Sequence, residues 1–567
     1  MKAERRRLFN DRPACFAALA VTLGVVTVEG IYPANPLFRL IPLLIAAAVA
    51  AVLLALPKTR KRGYIAVFFL IGVVAMSAAC DIYDSRLPEG GTGVFTARVD
   101  SEINAEDGRL SFYIAEVYGE DGVKLNGEGR VYIEGDTAPA YGAGDTVVIR
   151  GELLPTEHSS FDGYFASAAL NGQTFRIYAD SVGKLADGDL PLASRILYET
   201  KRMFYLNTDS DTAAIATALV FGDRQGLDEQ LYDCIRDSGL AHVLAVSGLH
   251  VTALATVVMW LLRKCKVNAK ISFVVVGVLT FVYVGLCAFT PSALRSFVMA
   301  LVLNFSTAFG TKRDMMSSLA VAVVLITIFS PFSVLHVGFE LSVFAVLGMF
   351  LLASPLKRLM MKGVDKICPS RFAEGSAAFA SSPVPALRSG DYDRDSALAR
   401  GSVKVYDHVT EKYMTVRDRP LRRALTGVAD AVSVSVSANL TAAPLIAYFF
   451  GSVQTLFIIS NLIILPYMMF IYAFLMVITP FALITGLYGL AGIFEPLLLP
   501  FTAVARAVGG VSFASVEAPL MLVGVIAAEL IAVIVSPFIF LPRRKKAIAV
   551  IVVLAVALCL SVPFSLL

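Results

Sequence analysis

The chain has 567 residues, of which 57% are hydrophobic and only 17% charged, with a mean hydropathy of +0.70. A water-soluble protein cannot hide that much apolar surface, so the composition excludes a soluble enzyme and requires a polytopic membrane protein. The net charge of +4 means little as a total, and its distribution along the chain says more.

Apolar runs fall near 14–30, 38–56, 64–82, 242–262, 271–289, 294–310, 316–330, 334–353, 428–450, 455–477, 479–500, 520–541 and 547–566. About 20 residues cross the hydrocarbon, so roughly 10–13 α-helical spans are expected. The first run lacks a small-residue cleavage site and reads as an anchor rather than a removed signal. Short loops rich in Lys and Arg mark the cytoplasmic side. MKAERRR at the N-terminus and the loops 57–62, 263–266, 311–313, 357–362 and 543–546 all fall on that side when thirteen crossings are counted from an inside N-terminus. That count puts residues 83–205 and the C-terminus outside the cytoplasmic membrane.

Five regions follow. Residues 1–83 hold N-terminal transmembrane helices. Residues 84–189 form an extracytoplasmic β domain, because FTARVDSEI, RLSFYIAEVY, GRVYIEG and DTVVIRGEL alternate apolar and polar residues between Gly, Asp and Asn. Residues 84–188 hold 18 acidic residues against 8 basic ones, a net −10 that leaves +14 for the rest of the chain. Such a domain is a poor nonspecific binder of phosphate. Residues 190–363 begin a membrane core, with amphipathic helices expected over 190–240. Residues 364–422, rich in Ser, Ala and Gly, read as a partly disordered cytoplasmic insertion. Residues 423–567 complete the core and end in transmembrane helices.

The segment GLAHVLAVSGLHVTAL (239–254) places His242, Ser247, Gly248 and His250 in a run otherwise fit for lipid. Ser247 and His250 are i,i+3 neighbours on a helix, and His242 joins them only if the helix breaks at Gly248. Irregular backbone at membrane depth is tolerated beside protein or a watery cavity. A bland role, each imidazole donating to a neighbouring carbonyl, weighs evenly for any one histidine; clustering favours a polar path. FGDRQGL (221–227) adds Asp223 and Arg224, equally readable as a capped surface turn. PSALRS (291–296) adds Arg295, otherwise a snorkelling interfacial Arg. HVGFELSVFAVLG (336–348) adds Glu340 in an apolar run, for which Arg295 is the candidate partner. Pro444, Gly451, Asn461 and Pro466 are expected to break the spans between 437 and 468. Tyr283, Phe289 and Phe339 read first as packing residues and second as base-stacking ones.

The seven cysteines are scattered, no CxxC occurs, and the chain has no GxxxxGK[ST], HExxH or GxGxxG. No catalytic, metal or cofactor site is therefore expected.

AHVLAVSGLHV (241–251) resembles the signature of the ComEC family of DNA-internalisation competence proteins, usually written with a GLxHLLAxSGLH core. LVFGDR (219–224), PSALRS, GFELSVFAVLG (where that family usually has Gln at Glu340), ISNLIILP (459–466), and GDTVVIRGELLP with FDGYFAS continue the likeness from about 64 to 540. The resemblance implies a channel for one strand of incoming DNA, an OB-like outer domain, an extracytoplasmic DNA receptor and a cytosolic nucleic-acid motor as partners beside membrane lipid, with a homo-oligomer left open. A metallo-β-lactamase-like domain with an HxHxDH motif often ends such chains. This one stops at Leu567 without that motif, so nuclease activity is not expected. The alternatives are a small-solute secondary transporter, for which no internal repeat speaks, and an intramembrane hydrolase using Ser247 and His250. For the hydrolase, a spacing of three on one helix rarely points Oγ at the imidazole.

Overall fold

A computed structural model describes residues 13–31, 63–101, 103–106, 109–134, 141–157, 163–311, 314–368, 402–407, 412–417 and 420–517. The apolar runs expected at 38–56, 520–541 and 547–566 lie outside the described residues. Two compact units form, one from the chain up to Val343 together with Ile464–Ser515, the other from Phe344–Ile463.

The first unit opens with α1 (Pro13–Ile31) and α2 (Gly63–Asp84), two apolar helices that pack on each other. Their contact is backbone on backbone. A methyl group added at Gly72 would lie 2.1 Å from the Val21 carbonyl oxygen, and one added at Gly24 would lie 2.4 Å from that of Phe69. Small residues at the crossing are how helices associate in lipid, where burial against a neighbour gains no hydrophobic free energy.

α2 feeds directly into the β domain: β1 (Gly91–Val99), β2 (Asn104–Glu106), β3 (Arg109–Tyr118), β4 (Glu128–Glu134), β5 (Thr146–Pro155) and β6 (Gln173–Ala186). The strand order is β1-β5-β6-β4-β3-β2, and β1 also pairs with β3, which closes five strands into a barrel. Only β4 and β6 run parallel. A five-stranded closed Greek-key barrel of this kind is the expected OB-like architecture. Alternation did what it predicts: Phe112, Ile114, Val131, Ile149, Phe175 and Ile177 point inward and are buried. What alternation does not announce is α3 (Gly163–Leu170), between β5 and β6. It carries Phe165, which meets Tyr83 at the end of α2 edge-on (centroids 5.2 Å) and Phe332 of the helical core at 5.6 Å. The Tyr83 hydroxyl donates to the Thr156 and Gln173 carbonyls, at 3.0 and 2.9 Å. This aromatic joint holds the barrel to the helices.

In the barrel, Asp145 accepts from Lys184 (2.8 Å) and from the Gly142 backbone (2.8 Å). The Lys184 ammonium, then the Gly142 N–H, hold its carboxyl below the usual carboxylate range. A depressed folded value means the stabilisation is complete above about pH 4 and is lost as pH falls further. Thermal unfolding followed from pH 7 to pH 3 is expected to show the barrel weakening in acid, with a flatter profile in Asp145→Asn.

After the barrel come α4 (Leu192–Asn207), α5 (Ser210–Phe221), α6 (Glu229–Asp237), a one-turn α7 (Ala241–Leu244), α8 (Gly248–Lys264), α9 (Ala269–Leu286), α10 (Pro291–Ala308) and α11 (Met315–Phe329). The helices expected over 190–240 are present, but α5 is not amphipathic: every residue from Thr212 to Phe221 is buried. It forms the centre of a core that also takes Met203, Phe204, Tyr472, Phe494 and Phe501. α12 (Val337–Ile367) runs from the first unit into the second.

In the second unit α12 and α13 (Pro420–Phe450) approach closely at Gly348, where an added methyl group would meet Thr441 Oγ1 at 2.0 Å. Arg422 bonds Asp365 at 2.7 Å. Within residues 364–422, Ser402–Asp407 pairs with Lys412–Arg417 as a hairpin; residues 369–401 lie outside the described ones. α13 continues through Pro444, and α14 (Phe457–Thr485) continues through Pro466, so neither proline breaks its span. A proline deletes one i→i−4 bond and kinks a helix without having to end it. Gly451 does end α13, in left-handed backbone (φ 69°). α15 (Phe494–Gly509) is the last described helix. Seven helical segments among the described residues are long and apolar enough to span a membrane.

Candidate functional site

The signature segment is two helices, not one. α7 ends at Leu244, Ala245 and Ser247 are extended (ψ 139° and 175°), and α8 starts at Gly248. The break therefore precedes Gly248, which is the first helical residue and not the breaker. Gly248 matters for another reason. A methyl group there would meet Ser296 Oγ at 3.1 Å, so glycine lets α8 close against α10.

A helix start leaves N–H groups without intrahelical acceptors. Here Ser247 is the N-cap and His250 is the third helical residue. Ser247 Oγ accepts from the Leu249 N–H (3.2 Å), and His250 Nδ1 accepts from the Ser247 N–H (3.0 Å). This is a reciprocal capping box with imidazole in the place usually held by Glu or Gln. Because Nδ1 accepts a backbone N–H, the ring is neutral and carries its proton on Nε2. That atom is buried, with the Leu219 carbonyl beside it but outside good hydrogen-bond geometry. His250 is fully buried, its ring 4.0 Å from that of Tyr472.

The carbonyls freed by the helix breaks are met by side chains from neighbours. Tyr472 Oη donates to the Val243 carbonyl, Ser292 Oγ to that of Val246 (2.7 Å), and Tyr283 Oη to that of Val220 (2.9 Å). Each bond removes the cost of an unpaired carbonyl in an apolar setting. Tyr283 and Phe339 are thus buried structural residues, whereas Phe289 is exposed and leans on Phe281.

Arg295 lies beside this cap, 5% exposed. Its Nε donates to Ser342 Oγ (2.8 Å), Nη2 to Ser296 Oγ (3.2 Å) and Nη1 to Met299 Sδ (3.1 Å). The expected partner, Glu340, is not among them. Two residues on a helix diverge by about 200°, so with Ser342 turned toward Arg295, Glu340 faces elsewhere.

Ser247, Gly248, His250 and Arg295 are therefore brought together. The other candidates are not. His242 is exposed, with Nδ1 2.9 Å from the Gly239 carbonyl oxygen. Asp223 pairs with Lys201 at 2.6 Å, and Arg224 lies over the Tyr232 ring. Asp223 and Lys201 line a pocket of about 130 Å³ with Asp100 and Ser101 of the barrel. Burial pushes the Asp100 carboxyl above its ordinary value. Asn461 belongs to the second unit, where it donates to Ser435 Oγ at 3.0 Å.

Sequence reasoning missed Ser342, Met299 and Tyr472. It also missed the outer barrel face. Tyr132 and Tyr178 stack across β4 and β6 (5.4 Å, 19°), and the Arg130 guanidinium lies 5.3 and 5.1 Å from the ring centres of Tyr113 and Tyr132. The outward register of YI, RVY and RIY in the three strands carried that signal.

Fold and site together define a polytopic helical membrane protein with a small β-barrel appended to its second described helix and a broken, capped helix pair in its core. The chain belongs to the Competence protein family, whose model matches residues 219–392 and 396–565, more than half of the chain. It is also similar to ComE operon protein 3 of Bacillus subtilis (strain 168), 23% identical over 146 residues. That match spans 26% of this chain and 19% of the relative's length. No solved structure matches the chain.

Proposed function

We propose that this protein is a channel that carries DNA, as a single strand, across the cytoplasmic membrane during natural transformation. The observation that carries the reading is the break at Ala245–Ser247, in a chain of the Competence protein family: serine, imidazole and guanidinium gather where two helices part. A strand bearing one charge per nucleotide needs a polar, preferably positive path, and Ser247, Gly248, His250 and Arg295 would begin one. The barrel, on the outer side with residues 83–205, would meet the strand first. Its Tyr113, Tyr132 and Tyr178 rings are suited to sequence-tolerant stacking, which offsets the domain's acidic balance.

The protein acts in this reading by lining and positioning, with no bond chemistry of its own. Ser247 Oγ does lie 3.1 Å from His250 Nδ1, closer than spacing alone suggests. Yet Nδ1 already serves the cap by accepting the Ser247 N–H, and no carboxylate is hydrogen-bonded to the ring among the described residues, as the orienting group of a nucleophile–base pair would be. Driving force comes from a cytosolic motor, and an outer receptor delivers the DNA.

The test is arrival of labelled DNA in the cytosol, with transformation frequency, in a deletion strain and in that strain carrying the intact gene. Loss on deletion and return on rescue is expected. Unchanged DNA arrival in the deletion strain would refute the reading and favour solute transport.

A further inference from the structure

We propose that Arg295 and the start of α8 form a binding site for one phosphodiester anion. The argument begins with charge. Arg295 is almost wholly buried, and the contacts its guanidinium makes are two hydroxyls and a thioether. No carboxylate pairs with it among the described residues. A guanidinium taken out of water without a counter-charge is strongly disfavoured unless something anionic reaches it. Three of its five N–H groups are used, which leaves two to give.

The surroundings add positive potential. Gly248, the first residue of α8, sits with its backbone against Arg295 Nη2: a methyl group there would be 3.8 Å from that nitrogen. α8 runs 17 residues, so its N-terminal partial charge is developed. The cap uses the N–H groups of Ser247, Leu249 and His250, and the Gly248 N–H takes no part in it. Arg295 itself lies in the second turn of α10, and Ser342 in the second turn of α12. The start of α8 thus lies beside a cation that no carboxylate pairs with among the described residues. A helix N-terminus facing a guanidinium repels it; an anion between the two is attracted by both. The rim formed by Ser247, Gly248, Met299 and Ser342 is only half-buried, so the anion approaches from that side and displaces the weak thioether contact.

A phosphodiester offers one charge and two free oxygens, which suits a guanidinium fork on one side and a backbone N–H on the other. Two sources share that chemistry, the strand backbone and a lipid headgroup. Occupancy by the strand rests on the channel reading above; the anion site itself does not.

The test uses the full-length protein in dodecyl maltoside micelles, which carry no phosphate, with inorganic phosphate as the probe against chloride at equal ionic strength. The expected result is a phosphate-specific rise in the unfolding midpoint of roughly 2 °C, lost in Arg295→Gln and largely kept in Arg295→Lys. Gly248→Ala, whose methyl group would stand 3.8 Å from Nη2 while the cation is kept, is expected to weaken the response too, and it serves if Arg295→Gln does not fold. No phosphate response in the parent, or a full one in both Arg295→Gln and Gly248→Ala, overturns the site. Competition by an oligothymidylate assigns the site to the strand. Loss of the response in nanodiscs containing phosphatidylglycerol, with no competition by the oligonucleotide, assigns it to lipid; the channel reading then fails while the site stands.

Discussion

Leucine in place of His250 is expected to stop DNA arrival in the cytosol while the protein still inserts at near-normal level. Two effects combine. The Ser247 N–H loses its acceptor in a buried setting, which costs about 1–3 kcal/mol. The start of α8 then shifts against α10, where Gly248 and Ser296 are closely packed. Glutamine is the informative companion. At the third helical position its side chain can reach back to the N-cap N–H as imidazole does, so it restores the capping box. Recovery of uptake in His250→Gln would assign the histidine to shaping the break. Failure of a well-folded His250→Gln would assign the function to the imidazole itself. Normal uptake in His250→Leu would remove the motif from the path altogether.

The same residues show how far the sequence could be read. Gly, Ser and His crowded into an apolar run announced a break, and a break is there. Its position was hidden, because Ala245 and Val246 are ordinary residues whose extended backbone is imposed by the helices on either side. Ser247 held the better signal: a serine followed three residues later by a side-chain acceptor is a helix start, and His is an unusual but competent acceptor. The barrel was legible because strand alternation is local and one-sided burial repeats every second residue. The partner of Arg295 was not legible, because pairing across 47 residues depends on which face of α12 turns inward, and a step of two residues reverses that face. Pro444 and Pro466 misled for a related reason. The cost of one missing hydrogen bond is met by packing around the helix, which no single chain segment reveals.

Leucine in place of Gly72 is expected to be strongly damaging, and an alanine at Gly363 nearly harmless. Both residues are helical glycines, so propensity alone predicts that either replacement gains stability, about 1 kcal/mol for alanine. Packing decides otherwise at Gly72. Even the first carbon of the new side chain would lie 2.1 Å from the Val21 carbonyl oxygen and 3.1 Å from the Val21 Cα, both backbone atoms that no rotamer change can move. The helices must separate by an ångström or more, and Gly24 loses its matching contact with Phe69. Overpacking of a side chain costs typically about 1–3 kcal/mol; a clash with backbone exceeds that range. At Gly363 nothing lies within 4 Å of the added carbon. The consequence reaches the barrel, because α2 delivers Tyr83 to its joint with Phe165, Phe332 and the Thr156 and Gln173 carbonyls. A Gly72→Leu protein is expected to keep a folded barrel that is no longer held to the helices. Limited proteolysis checks this: cleavage between Asp84 and Gly91 should speed up in Gly72→Leu and stay at the parent rate in Gly363→Ala. Equal cleavage in all three proteins would show that the α1–α2 crossing does not position the barrel.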